Sequence, residues 1–276
     1  LFLYELFHQG VYFKLSSINN FLEPEHKISE FRGTYCKEFS ESTLFYKVIE
    51  KAFGTKYIQF SGDKLDELID GAPDYYIRDG RSVFLFESKD VLVRADIKSS
   101  FDFELLEKSL KAKFHSESKN GKKSRKAILQ LIEEAKKLLQ GRRDYDSKLS
   151  SNRIIIFPIL LTHHRQFDTP GLNGVLNDWL ENELEKLKEE IDISRIRPLT
   201  VINIDDILWN FGLFRNGTLK LRKLLEGYHQ YVSIPKSRTF SSKAKRDSRI
   251  ERTLIPFSGY LQDQTDGKNN PTPHQL

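Results

Sequence analysis

The sequence predicts an α/β fold, a central mixed β-sheet flanked by helices. Three observations point there. An Asp-Gly pair separates two apolar-aromatic runs, 73–78 and 82–87. A β-branched, almost wholly apolar run occupies 153–161. Amphipathic segments of helical period alternate with these runs. The chain has 276 residues, 38% hydrophobic and 30% charged, enough to bury a sizeable core and too apolar for a fully disordered chain. That length suits one large domain or two small ones.

Taken in order, residues 1–40 mix aromatics and charge without clean periodicity and receive no element. Residues 41–53 read as a helix, with Leu44, Phe45, Val48 and Ala52 at helical spacing and Gly54 as its stop. A short strand follows at 57–60, then the hairpin around Asp79-Gly80. Residues 101–114 are helical, and the polar stretch HSESKNGKKSRK connects them to a second amphipathic helix at 124–140. Ala127, Ile128, Leu131, Ala135 and Leu138 form that helix's apolar face. The 153–161 strand is apolar enough to be covered on both faces, and Pro158 predicts an edge position or a bulge. A helix at 173–190, a strand at 197–204 and helices at 205–212 and 217–231 complete the pattern. From 233 the chain turns Ser-, Lys- and Arg-rich and ends in NNPTPHQL, which reads as a loose tail.

Composition narrows the function classes. A single cysteine, Cys36, excludes an internal disulfide framework and suits a reducing compartment. No run of about 18 apolar residues occurs, so no transmembrane helix is expected. The opening LFLYELF lacks a basic n-region and a cleavage site, so no signal peptide is expected, and the predicted location is cytoplasmic. The net charge of +5 favours an anionic partner.

The hairpin carries the chemistry. With Asp79-Gly80 as a two-residue turn, Arg78 pairs with Arg81, Tyr76 with Val83 and Asp74 with Leu85. Side chains alternate along a strand, so Leu85, Glu87 and Lys89 share the face of Asp74. Asp74 and Glu87 are then diagonal neighbours, about 7 Å apart or less at Cβ. Two carboxylates and an ammonium at the end of a buried hairpin are costly without mutual pairing or a metal. Oxygen-only ligation suits Mg²⁺ or Mn²⁺ rather than zinc. A cation there would polarise a phosphoryl oxygen and provide a hydroxide nucleophile. Lys89 could orient that water or neutralise the developing charge.

Pro73-Asp74 followed by Glu87-Ser88-Lys89 resembles the motif of the PD-(D/E)xK nuclease superfamily. The resemblance covers roughly residues 41–161, where the element order helix, three strands, helix, strand also agrees. It implies a restriction-endonuclease-like core at 41–165, preceded by an N-terminal extension at 1–40. A mostly helical extension with one further strand, 166–232, and a basic, partly flexible tail, 233–276, would follow. It further implies a Mg²⁺- or Mn²⁺-dependent phosphodiesterase, with Asp74, Glu87 and the Ser88 carbonyl as ligands and Lys89 assisting the attacking water. DNA is the implied substrate, in restriction, phage defence or repair, with a homodimer or larger defence complex as the assembly. A non-catalytic nucleic-acid-binding module and an RNA nuclease remain the alternatives.

Two supporting residues follow from the same resemblance. Glu41, on the first core helix, borders the stripe of Leu44, Phe45 and Val48, with Glu50 as its rival. Gln130, beside Ala127 and Leu131, would approach from a second helix on the same side of the sheet. The stretch 108–126 holds Lys108, Lys111, Lys113, Lys119, Lys122, Lys123, Arg125 and Lys126 against Glu117, a candidate phosphate-backbone footprint. The tail adds Lys236, Arg238, Lys243, Lys245, Arg246, Arg249 and Arg252. His163 and His164 lack partners at zinc-ligand spacing, and Trp179 and Trp209 read as core.

Overall fold

Five strands form one mixed sheet in the order β1–β2–β3–β6–β7. They are β1 Ile58–Ser61, β2 Tyr75–Asp79, β3 Ser82–Lys89, β6 Ile155–Thr162 and β7 Thr200–Asn203. The first three form an antiparallel meander, whereas β6 runs parallel to β3 and β7 parallel to β6. A separate hairpin joins β4 Ser116–Lys119 to β5 Lys122–Arg125. The computed structural model describes residues 2–67, 72–119, 122–142, 145–149, 153–233 and 243–266, and no side chains at 2–9, 118, 119, 122, 123 and 243–246.

Alternation along the strands builds two cores. Tyr75, Ile77, Phe84, Phe86, Phe157 and Ile159 pack against helices Tyr46–Phe53, Ile204–Trp209, Leu221–Val232 and Phe257–Thr265. Tyr76, Val83, Leu85, Ile156 and Leu160 pack on the other face against helices Phe103–Phe114, Ala127–Leu139 and Leu172–Glu185. Each fully buried large apolar side chain contributes about 1.5–3 kcal/mol relative to exposure. The α/β architecture and central mixed sheet therefore match the expectation.

Several elements differ from it. Residues 1–40 contain a long helix, Phe2–Phe21, and a second that begins at Phe31. The latter continues through a π-helical stretch, Cys36–Phe45, into Tyr46–Phe53, so it is longer than 41–53. The polar stretch before 124 forms the β4–β5 hairpin rather than an open connection. Pro158 stands in a central strand, opposite Leu85 of β3. It is tolerated because the ladder to β7 is broken beside it. Ile156 bridges Ile196, whereas pairing resumes at Ile159–Thr200, one residue out of step. The tail read from 233 also changes character. Phe257, Tyr260 and Leu261, at i, i+3 and i+4, are buried in the first core. Residues 267–276, with the NNPTPHQL end, lie outside the described residues, as do Lys236 and Arg238. Among the described residues no helix is long and apolar enough to cross a membrane.

The start of β7 gives a pH prediction. Thr200 Oγ1 and His229 Nε2 share a 2.7 Å hydrogen bond. Burial, and then the Arg197 charge, push the His229 imidazole down to about 4. The unfolded chain therefore binds this proton first, near the ordinary imidazole value of 6.5. The stabilising effect of the neutral ring is complete above that value and is lost as pH falls toward 4. Melting temperatures are expected to decline across this window, and less steeply in His229→Gln. Equal slopes in both proteins would refute the assignment.

Candidate functional site

The site begins with the hairpin turn. The observed register pairs Asp79 with Ser82, Arg78 with Val83 and Tyr75 with Phe86. The loop residues are therefore Gly80 and Arg81, one step later than Asp79-Gly80. Gly80 takes φ +58° at the first loop position, a conformation that favours glycine. The shift by one residue changes every pair but keeps each residue's face, because pleating has period two. Continuing the register outward sets Asp74 opposite Glu87 rather than Leu85, which brings the carboxylates closer than expected.

The side chains converge at this end of the sheet. The Ser88 backbone N–H donates to Asp74 Oδ2 at 2.7 Å. Lys89 Nζ donates to Glu87 Oε2 at 2.9 Å and lies 3.9 Å from Asp74 Oδ2. Glu87 is only 1% exposed. Its second oxygen, Oε1, is buried and has no hydrogen-bond partner. Burial, and then the Asp74 charge, push the Glu87 carboxyl up to about 8. Burial alone would lower the Lys89 ammonium, but the Glu87 and Asp74 charges outweigh it and raise its pKa.

Glu41 joins this group from the π-helical stretch. The Tyr46 hydroxyl donates to Glu41 Oε1. Burial, and then Asp74, raise the Glu41 carboxyl, while Tyr46 and Lys89 oppose the rise. The π register explains the geometry. The Tyr46 N–H bonds to the Glu41 carbonyl, an i→i+5 link, so Tyr46 rather than Phe45 lies one turn beyond Glu41. Gly62 makes room for the assembly. Its N–H donates to the Asp74 carbonyl at 2.8 Å, and a Cβ there would meet the Tyr46 hydroxyl at 2.7 Å.

Gln130 does not join the group. It is exposed on the Ala127–Leu139 helix, and among the described residues no hydrogen bond ties it to the carboxylates. The expectation that Glu41 and Gln130 approach from one side also fails. The Glu41 helix packs on the first core and the Gln130 helix on the second. A glutamine at the margin of an apolar stripe can face solvent as readily as a cleft, and periodicity does not separate the two.

A buried network that the sequence reading missed locks the carboxyl ends of β3 and β6. Ser88 Oγ and His163 Nε2 share a 2.8 Å hydrogen bond. His164 Nε2 donates to Asp90 Oδ1 at 2.8 Å. Arg32 and Ser40, from the helix that carries Glu41, also donate to the Asp90 carboxylate. Burial alone would raise that carboxyl, but the His164 and Ser40 hydrogen bonds and the Arg32 charge hold it well below the usual range. Cys36 lies 3.7 Å from the Asp90 carbonyl, and burial pushes its thiol up to about 11, so it is a poor nucleophile. The signal for this network was the parallel pairing of Lys89 with Thr162, which places 90 beside 163 and 164.

The basic stretch folds as the β4–β5 hairpin and the start of the Gln130 helix. Lys126 pairs with Glu117 and Arg125 with Glu133, each at 3.2 Å and partly exposed. Exposed pairs of this kind contribute about 0–1 kcal/mol and exchange readily for phosphate. The side chains of Lys119, Lys122 and Lys123 lie outside the described residues, although their backbone does not.

Whether the residues fit a divalent cation rests on Glu87 Oε1. Without metal the raised Glu87 carboxyl keeps a proton at neutral pH, and a hard cation between it and Asp74 would take that proton's place. Among the described residues no group of three or more His, Cys, Asp or Glu side chains forms a ready cage. The oxygens at this end of the sheet that a cation would meet are those of the Asp74–Glu87 pair and the Ser88 carbonyl. No family model matches the chain, and no curated protein or solved structure matches it either.

Proposed function

We propose that the protein is a Mg²⁺- or Mn²⁺-dependent nuclease of PD-(D/E)xK type, with a restriction-endonuclease-like core, that hydrolyses phosphodiester bonds, in DNA by the resemblance. A cytoplasmic role in restriction, phage defence or repair belongs to the same resemblance. The observation that carries the reading is the buried Glu87 carboxyl, held beside Asp74 by the hairpin, with Lys89 on one oxygen and only the neighbouring Asp74 carboxylate to share a proton or a cation with the other. The element order supports it: a helix, a three-stranded meander, a helix, then a strand parallel to the third.

Asp74, Glu87 and the Ser88 carbonyl would hold the cation. Bound there, it supplies Lewis-acid stabilisation of a phosphoryl oxygen and makes a water more acidic. The Ser88 N–H fixes the orientation of Asp74. Lys89 stays an ammonium, because the two carboxylates favour its charged form. It therefore serves as a hydrogen-bond donor to water or phosphate and not as a proton acceptor. Glu41, oriented by Tyr46, adds a third carboxylate that favours cations over anions.

The testing experiment incubates the wild-type chain with plasmid, linear and single-stranded DNA and with RNA, in Mg²⁺, Mn²⁺ or EDTA. Cleavage that requires the metal is expected. Binding without turnover of any substrate would overturn the reading in favour of a binding module.

The basic hairpin gives a separate prediction. Replacing Lys122, Lys123, Arg125 and Lys126 by glutamine is expected to weaken binding to all duplexes alike. Each lost phosphate contact should flatten the log K against log salt slope by about 0.9. An unchanged slope would show the hairpin to be only a solvated surface.

A further inference from the structure

The segment after the site holds two conspicuous aromatics. Phe101, between helices Ala95–Ser99 and Phe103–Phe114, is 97% exposed, and Phe103 is 68% exposed. Phe101 also has φ +54°, and no other non-glycine among the described residues has a positive φ. An exposed ring loses the benefit of burial, and a bulky residue in the left-handed region is strained. Among the described residues neither ring packs against another aromatic.

Phe103 borders a groove of about 480 Å³ lined by Val93, Leu106, Leu110, Phe167, Leu172 and Leu254. That volume lies within the range of small-ligand pockets, roughly 300–1,000 Å³. Lys98 also lines it, exposed and without an acidic partner among the described residues, whereas the one acid of the lining, Glu107, is paired with Lys111 at 2.9 Å. The groove is close to the candidate site in chain and in space. Val93 N donates to Gln166 Oε1 at 3.3 Å, and Gln166 Nε2 to the Val91 carbonyl at 3.4 Å. The groove wall is thus tied to the loop that leaves Lys89. Val93, Leu110, Phe167 and Leu172 belong to the core on the face of Leu85, the face that Glu87 and Lys89 continue.

An apolar, ring-edged groove beside an unpaired ammonium complements a base followed by its phosphate. In a duplex the faces of the bases are already stacked, so only an unpaired base can lie on a phenylalanine. We infer that Phe101, Phe103 and this groove form a stacking subsite for an unpaired nucleobase, with Lys98 on a neighbouring phosphate, so that the preferred substrate is single-stranded or frayed nucleic acid. The inference deepens the nuclease reading and rests on it.

Binding in EDTA tests it without cleavage. Fluorescence anisotropy is measured for the whole chain with a short single strand, the same sequence as duplex, and the single strand carrying 2-aminopurine. The wild type should bind the single strand more tightly than the duplex and quench 2-aminopurine. Loss of one base–ring stack corresponds to roughly tenfold weaker binding. Phe101→Ala and Phe103→Ala should show that loss with the single strand and little change with the duplex. Lys98→Gln should reduce the salt dependence of single-strand binding. Phe101→Gly, which suits the positive φ, should melt no lower than wild type yet still lose the single-strand preference. Equal effects of the variants on both nucleic acids, or undiminished quenching when Phe101→Ala and Phe103→Ala are combined in one chain, would overturn the subsite while leaving the nuclease reading intact. No nucleic-acid binding by the wild type would overturn both. A shift in oligomeric state in Phe103→Ala, with nucleic-acid binding unchanged, would show that a second copy of the chain fills the groove.

Discussion

Asp74→Asn is expected to abolish metal-dependent cleavage while leaving the fold in place. Asparagine keeps the shape and an oxygen to accept the Ser88 N–H, which now binds Asp74 Oδ2 at 2.7 Å. It removes one of the two charges that face a cation, so metal affinity and rate fall together. A loss of about 10²–10³ in rate is the scale of removing one charge-stabilising contact at a reacting centre. Lys89→Ala is expected to behave differently. Its ammonium donates to Glu87 and would act on the developing charge, so turnover falls while Mn²⁺ binding survives. Cleavage rates measured beside Mn²⁺ titration calorimetry separate the two variants. Robust cleavage by Asp74→Asn in EDTA would falsify the metal-nuclease reading.

The second large effect is on stability. Asp90→Ala removes an acceptor shared by Arg32, Ser40 and His164. His164 is 1% exposed and Asp90 3%, so the stranded donors cannot all turn to water. Breaking a buried charged pair from one side costs about 3–5 kcal/mol, and the third-exposed Arg32 favours the low end. A drop in melting temperature of roughly 6–12 °C follows for a chain of this size. A deeper consequence is expected at Glu41. Arg32 and Ser40 sit on its helix, so Asp90→Asn, with a milder loss of stability, should still loosen that carboxylate. An unchanged melting temperature in Asp90→Ala would show that the network adds nothing to the fold.

Much of this was legible in the sequence, for identifiable reasons. The strands were read because their runs are apolar on both faces, and the carboxylate pair because Asp79-Gly80 marks a turn. The turn itself lies one residue further on, yet the shared face survived, since such a shift moves both strands together. Glu41 was found through an α-helical stripe, although the local helix is π. Its burial is shared by both geometries, which is why the reading reached a residue near Asp74 by the wrong spacing. Gln130 shows the converse, because a boundary position fixes neither its contacts nor its face. The Asp90 network and Gly62 were invisible because each depends on segments distant in sequence meeting at one end of the sheet, and Tyr46 because its contact with Glu41 needs the π spacing, i to i+5. Pro158 is on no edge, but the one-residue slip of the β6–β7 ladder beside it agrees with the other half of the expectation, a bulge. A proline forbids a donor only where a neighbour needs one, and the interrupted β6–β7 ladder removes that need.

The π-helical stretch Cys36–Phe45 makes the site a matter of chain length as well as of residue identity. Arg32 and Ser40 reach Asp90, Glu41 reaches toward Asp74, and Tyr46 anchors the far end in the core. Removing any one residue between 42 and 45 while the segment keeps its winding would rotate everything upstream by about 100°. Every side chain would survive that deletion unaltered, yet the acid and the clamp would swing off their targets together. The segment works as a spacer cut to measure, sensitive to a missing amino acid where it would tolerate an exchanged one.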